Sequence, residues 1–267
     1  MSDNIIEVRN VSYGHGSNRV LDNISMDIPK GKLVMITGLS GCGKTTLLKI
    51  IAGLIEPDQG SVSIDGVDIF MVPRLKLFEM RRKMAFMFQD GALLSNLSIF
   101  DNIALPLRYH YNLPQDEIEK RVLSLLDSYG LKSLQSELPG SLSMIQRKLA
   151  GVARALVMEP TMIFADEPIG FMDVVAREQL SNMLIQMRDD PEVTLIAVGH
   201  NIEFIKMYAD YIGILHDQRL FAYGEKNEIL KSRDPVLQRI LSIIIDETEM
   251  LAESVLGVMR GDINEQH

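Results

Sequence analysis

An α/β fold is predicted, and three features of the sequence predict it. Residues 32–46, KLVMITGLSGCGKTT, run from an apolar strand through a glycine-rich turn into a helix. Further short apolar runs, Met84–Phe88, Thr161–Ala165 and Val193–Val198, have the continuous character of strands buried on both faces, and each stops at a polar segment. Helical spacing fills the intervals, over Leu75–Lys83, much of Ala92–Glu159, and Val174–Arg188.

The glycine-rich turn carries the chemistry. Gly38, Gly41, Gly43, Lys44 and Thr45 fit G-x-x-x-x-G-K-[ST], the phosphate loop. Phosphate oxygens must lie against backbone N–H groups, and residues without a Cβ let the chain approach that closely. The helix that follows aims free N–H groups and its positive end at the same anion. Gly38, Leu39, Ser40, Gly41, Cys42, Gly43, Lys44, Thr45 and Thr46 are therefore the candidate nucleotide cradle. Lys44 would contact the β- and γ-phosphates, and the Thr45 hydroxyl would ligate Mg²⁺.

Composition narrows the class. A chain of 267 residues with 46% hydrophobic content can bury an ample core, as one large α/β domain or two small ones. Its one cysteine, Cys42, excludes an internal disulfide framework and fits a reducing cytosol. Met1 to Asn4 lacks the basic start and apolar stretch of a signal peptide, and no apolar run reaches bilayer length. A soluble protein is expected, with any membrane role supplied by a partner. The net charge of −9 argues against nucleic acid as the main ligand.

In chain order, Ile5–Tyr13 and Val20–Ile28 read as an antiparallel pair. Tyr13 is open between a ring that stacks on adenine and an ordinary strand aromatic. Pro57–Gly60 reads as a turn, and Ser61–Gly66 as a strand closing on another. Gln89 ends the Met84–Phe88 run, where it could reach a ligand at the sheet's crevice or serve as a satisfied loop amide. Within the helical region, Ile99–Pro106, Asp116–Tyr129 and Leu142–Met158 are separate segments.

Asp166 and Glu167 end an apolar strand, where two adjacent charges are costly unless a cation sits opposite. A Mg²⁺ at the phosphate loop supplies that cation: Asp166 would hold it through water, and Glu167 would act as base on the attacking water. His200, at the end of the next strand, is open between an ordinary structural histidine and one placed to touch the γ-phosphate. Tyr211–Leu215 and Arg219–Tyr223 read as a hairpin, and Asn227–Arg233 as a short helix. Pro235–Met259 carries Val236, Leu237, Ile240, Leu241, Ile244, Leu251, Val255 and Val258 on helical spacing, a stripe expected to bury itself on its own core, on the other subunit or on an accessory protein, with a contact between chains favoured.

Taken together, Tyr13 before the phosphate loop, Gln89, a helical insertion, Asp166-Glu167 and His200 resemble the ATP-binding subunit of ABC transporters, from about residue 5 to 232. The resemblance implies a P-loop NTPase with a RecA-like core, an N-terminal antiparallel β-subdomain and an inserted helical subdomain at about 90–160. Residues 233–267 would form a C-terminal helical extension. It makes Tyr13 the adenine-stacking residue, Gln89 a Mg²⁺ contact linked to the membrane partner, Asp173 the D-loop aspartate and His200 the switch histidine.

The stretches FQDGALLS (88–95) and IFDNIALPLR (99–108) are similar to the Mla-type ATPases of MCE lipid-transport systems. That likeness implies an ATPase on the cytoplasmic face of the inner membrane, moving phospholipid between membranes. Its implied partners are an integral permease, a second ATP-binding subunit, and with them an MCE lipid-binding protein and a STAS-domain subunit; nucleic acid is not among them. The family's Leu-Ser-Gly-Gly-Gln signature stands here as Leu142-Ser143-Met144-Ile145-Gln146. Ser143, which by the resemblance faces the γ-phosphate held by the other subunit, remains, while both glycines are replaced. The intact Lys44, Asp166, Glu167 and His200 point to an ATPase. The altered signature points to an alternative, a weakly hydrolysing regulatory subunit paired with a competent ATPase.

Overall fold

The structure is a computed structural model that describes residues 4–16, 18–170 and 174–246. Strands β1 (Asn4–His15) and β2 (Asn18–Pro29) pair antiparallel, and β3 (Leu33–Thr37) leads through the phosphate loop to α1 (Lys44–Ile51). There follow β4 (Gln59–Ile64), β5 (Val67–Asp68), α2 (Arg74–Arg81) and β6 (Met84–Met87), then α3 (Ile99–His110), α4 (Gln115–Ser128) and α5 (Met144–Leu156). The chain continues through β7 (Met162–Asp166), α6 (Val174–Arg188), β8 (Thr194–Val198) and α7 (Ile202–Tyr208). It closes with β9 (Tyr211–His216), β10 (Arg219–Glu225), α8 (Lys226–Lys231) and a helix α9 over 235–246.

Two sheets result. The smaller is antiparallel, in the order β2-β1-β4-β5; the larger runs β10-β9-β3-β8-β7-β6, with every pairing parallel except β10 on β9. Side chains alternate faces along a strand, so each central strand feeds two cores. Leu33, Met35, Ile163, Ala165, Leu195 and Ala197 face the core shared with the α3–α5 layer, α6 and α7. Val34, Ile36, Met162, Phe164, Ile196 and Val198 face the opposite core, where Leu47, Leu48, Ile50 and Ile51 of α1 sit between the two sheets. Parallel strands covered on both sides explain the unbroken apolar runs.

Three sequence expectations are corrected, the first being the turn at Pro57–Gly60, whose Gln59 and Gly60 lie in β4. Met84–Phe88, expected to be buried on both faces, forms the edge of the larger sheet; Ala85 and Met87 are buried, but Met84 and Phe86 only half so. The reason is thin cover, because the neighbouring α2 has no buried residue. The C-terminal stripe, expected to lie between chains, packs in its described part against its own chain. Leu237, Ile240, Leu241 and Ile244 are buried in the same core as Ile205 and Ile229. Asp234 starts that helix, its Oδ1 accepting from the N–H of Val236 at 2.7 Å and of Leu237 at 3.1 Å. Leu251, Val255 and Val258 lie outside the described residues.

Helices α3, α4 and α5 pack on one another as the inserted layer. Fully buried Asn102 of α3 fastens the loop after Gln89 to it: its Oδ1 accepts from the Leu94 N–H at 2.7 Å, and its Nδ2 lies 3.0–3.1 Å from the carbonyls of Leu94, Leu97 and Ser98.

Candidate active site

The phosphate loop takes the shape its glycines permit. Gly38 has φ +155°, and a Cβ there would meet the Leu215 carbonyl oxygen at 2.2 Å. Gly43, φ +101°, is the N-cap of α1 and provides no side-chain cap, leaving first-turn N–H groups for an anion. Lys44 folds back over the loop, donating from Nζ to the carbonyls of Gly38 at 2.8 Å and Leu39 at 3.0 Å. It is only 7% exposed. A buried ammonium held by neutral carbonyls is placed to exchange them for phosphate oxygens, which bind a cation more strongly.

β7 ends beside this loop, and its final residue joins it. The Thr45 hydroxyl donates to Asp166 Oδ1 at 2.8 Å. Burial pushes the Asp166 carboxyl above its usual value, an effect opposed by the Thr45 hydrogen bond and reinforced by the Glu167 charge. A hydroxyl oxygen and a buried carboxylate side by side are the hard oxygen set that suits Mg²⁺, directly or through water. The residues present thus fit a magnesium nucleotide.

Glu167 follows in the left-handed region, φ 46°. Its N–H donates to Val198 O at 3.0 Å, and its carboxylate Oε1 lies 3.0 Å from His200 Nε2. Gly199 lets the two meet, since a Cβ there would come within 3.1 Å of Glu167 Oε2. Sequence reasoning missed a third contributor. Lys148 of α5, 5% exposed, donates from Nζ to the Glu167 carbonyl oxygen at 2.6 Å. Burial pushes its ammonium down to about 8, against the opposing pull of Glu167, Asp166 and Asp90.

A cavity of about 390 Å³ gathers Ser40, Gly41, Gly43, Lys44, Thr45, Thr46, Gln89, Glu167 and His200, along with Val20 and Gly170. It opens at the C-terminal ends of the parallel strands, where ligands of such sheets bind. A larger cleft of about 660 Å³, between α4, α6 and the start of β7, holds none of the predicted site residues. Chemistry rather than size therefore selects the site.

Of the remaining predicted residues, Gly38 and Leu39 serve through their carbonyls on Lys44, and Asp166 through Thr45. Cys42 is half-buried beside Gly38. Tyr13 lies on β1 opposite Leu21, outside the cavity lining. Ser143 stands apart at the start of α5. Its Oγ accepts from the Gln146 N–H at 3.2 Å while the Gln146 side chain accepts from the Ser143 N–H at 2.9 Å, a capping box. Asp173 lies outside the described residues.

A phosphate loop at the end of β3 and an acidic pair at the end of β7, on one side of a largely parallel sheet, define a P-loop NTPase. Residues 21–170 match the ABC transporter family. The chain belongs to the ABC transporter family, as an ATP-binding, ATP-hydrolysing subunit. The "Intermembrane phospholipid transport system ATP-binding protein MlaF" of Haemophilus influenzae is 37% identical over 234 residues, 88% of this chain and 89% of that protein. MlaF of Escherichia coli K12 is 35% identical over 243 residues, 91% and 90% of the two chains. The "Probable ribonucleotide transport ATP-binding protein mkl" of Mycobacterium leprae is 35% identical over 237 residues, 89% of this chain and 68% of its own. Among solved structures, the dimeric post-hydrolysis cassette MJ0796 bound to ADP and Pi superposes with a TM-score of 0.76 at 30% identity, covering 83% of this chain and 98% of that one. Cassettes of this family work as dimers with membrane permease partners. Among the described residues no helix is long and apolar enough to cross a membrane.

Proposed function

We propose that this chain hydrolyses Mg-ATP at the Lys44–Glu167 cavity and thereby energises phospholipid movement between the inner and outer membranes. The observation that carries the reading is the convergence, in one cavity, of Lys44, Thr45, Gln89 and the Glu167–His200 pair, with Asp166 hydrogen-bonded directly to Thr45. The loop 38–46 and the N-terminus of α1 would cradle the phosphates, with Lys44 on the β- and γ-oxygens. Thr45, Asp166 and Gln89 would hold the magnesium ion, which when bound neutralises charge on the phosphates. Glu167 would take a proton from the attacking water, and the water oxygen would form the new bond to the γ-phosphorus as the bond to ADP breaks and ADP leaves. His200 would orient Glu167 and contact the γ-phosphate. Tyr13 would stack on adenine from the β1 side, and Ser143 would act on the nucleotide of a facing subunit.

The phospholipid cargo rests on the similarity to the two MlaF proteins, which runs over most of both chains. By that reading the chain sits peripherally on the cytoplasmic face of the inner membrane. It would pair with a second ATP-binding subunit on a permease, together with an MCE lipid-binding protein and a STAS-domain subunit. All the relatives cited are ATP-binding transport proteins, which favours the ATPase over the regulatory alternative. The test uses the membrane complex co-purified with this chain and fluorescent phospholipid in donor and acceptor vesicles. ATP-dependent lipid transfer is expected, and Lys44→Ala should weaken ATP affinity by about a hundredfold and stop transfer. ATP-independent transfer, or full transfer by Lys44→Ala, would contradict the reading.

A further inference from the structure

We propose that Lys148 is a positioning residue for hydrolysis, its ammonium holding the Glu167 peptide in the conformation that turns the carboxylate onto His200 and the phosphate cavity. The inference rests on the reading of Glu167 as the base acting on water.

Glu167 needs such a hold. A glutamate at φ 46° sits where side-chained residues rarely go, and that conformation persists only when the surroundings over-determine it. On one side the peptide is tied to β8 by the Glu167 N–H on Val198 O, 3.0 Å. On the other side, the Glu167 carbonyl accepts from Lys148 Nζ at 2.6 Å and from the Gly170 N–H at 3.2 Å. The lysine contact is the shorter and the charged one, and so the stronger. Between these ties the side chain leaves in one direction, to His200 at 3.0 Å.

Packing alone does not call for a lysine here. Lys148 is 5% exposed, its stem adjoining Met87, Val152, Pro168, Leu180 and Met183, while its ammonium feels the charges of Glu167, Asp166 and Asp90. Burying an ammonium there costs stability that an apolar side chain of similar length would not. The helix that carries it is also fixed to the loop after Gln89. The Arg154 guanidinium donates to the carbonyls of Gly91 and Ala92, both at 2.9 Å, and a Cβ on Gly151 would stand 2.5 Å from Gly91 Cα. The ammonium therefore has a defined place, set by α5 lying directly on that loop.

The experiment measures ATPase kinetics and thermal melting of the full-length chain in its membrane complex, as wild type, Lys148→Met, Lys148→Arg and Glu167→Gln. Lys148→Met should lower kcat by roughly tenfold to a hundredfold, the scale of a small misplacement of a catalytic group. KM for ATP should stay unchanged, since no phosphate contact is touched. Its melting temperature should match or exceed wild type, and Lys148→Arg, which keeps a donor, should restore most of kcat. The inference is overturned if Lys148→Met keeps wild-type kcat, if its loss of kcat comes with a lower melting temperature, or if arginine fails to rescue it. Glu167→Gln separates the two claims. Wild-type hydrolysis by that variant would remove the role of Glu167 itself. An inactive Glu167→Gln beside a fully active Lys148→Met would remove only the role of Lys148.

Discussion

Glu167→Gln is expected to cut ATP turnover by about a thousandfold while leaving ATP binding intact. The substitution keeps the size of the side chain and keeps an oxygen able to accept from His200 Nε2, now 3.0 Å away. The backbone ties of residue 167, to Val198, Gly170 and Lys148, do not involve the carboxylate and should survive. On the proposed reading, only the capacity to take a proton from water would be removed. The phosphates would still rest on Lys44 and the first turn of α1, so the variant should retain ATP through gel filtration where the wild type retains ADP. A single-turnover assay with radiolabelled ATP measures the step directly. Hydrolysis at the wild-type rate would show that Glu167 is not the base.

Met144→Gly with Ile145→Gly is expected to raise turnover by about a hundredfold at unchanged ATP affinity. These residues open α5, directly after the Ser143 cap, and Met144 is 57% exposed. By the family resemblance, this helix start meets the γ-phosphate held by the facing subunit, where N–H groups and exclusion of water stabilise the developing charge. On that reading a methionine side chain standing out from the surface would hold the backbone away, and one missing donor is worth about 3 kcal/mol. The Ser143 hydroxyl accepts from Gln146, which leaves its own proton to donate. The capping box does not use the side chains of residues 144 and 145, so α5 should still form with glycine there. Turnover at saturating ATP, with the membrane complex present, compares the two proteins. A wild type already as fast as the glycine variant would mean that the loop reaches the phosphate despite its side chains.

Most of the cavity was legible because its chemistry is written in local spacing. The loop 38–46, Asp166-Glu167, Gln89 and His200 each stand at the end of an apolar strand, and the sheet brings strand ends together. Residues whose role depends on distant packing were not legible. Lys148, between Arg147 and Leu149, reads as one more charged residue of an amphipathic helix; its burial arises from α5 lying against the end of β7. Asn102 and the Gly91–Gly151 contact depend likewise on how α3 and α5 meet a loop. Local chemistry also misled in places. Gln59-Gly60 reads as a turn, yet both residues lie in β4, where Gly60 has φ +90° beside a register shift against β1. β5 has only Val67 and Asp68, too short to show alternation. The apolar stripe after residue 234 was visible, but its spacing carried no record of which surface it would cover.

The central claim is that ATP is bound and cleaved at the Lys44–Glu167 cavity, and the most direct measurement is a structure of Glu167→Gln trapped with Mg-ATP. The account predicts phosphate density along residues 38–46, with Lys44 Nζ and the N–H groups at the start of α1 on its oxygens. It also predicts a metal on the Thr45 hydroxyl beside Asp166, and residue 167 facing the γ-phosphate. Nucleotide seated elsewhere, for instance in the larger cleft between α4 and α6, or phosphates bound with Lys44 still turned to the Gly38 and Leu39 carbonyls, would contradict it.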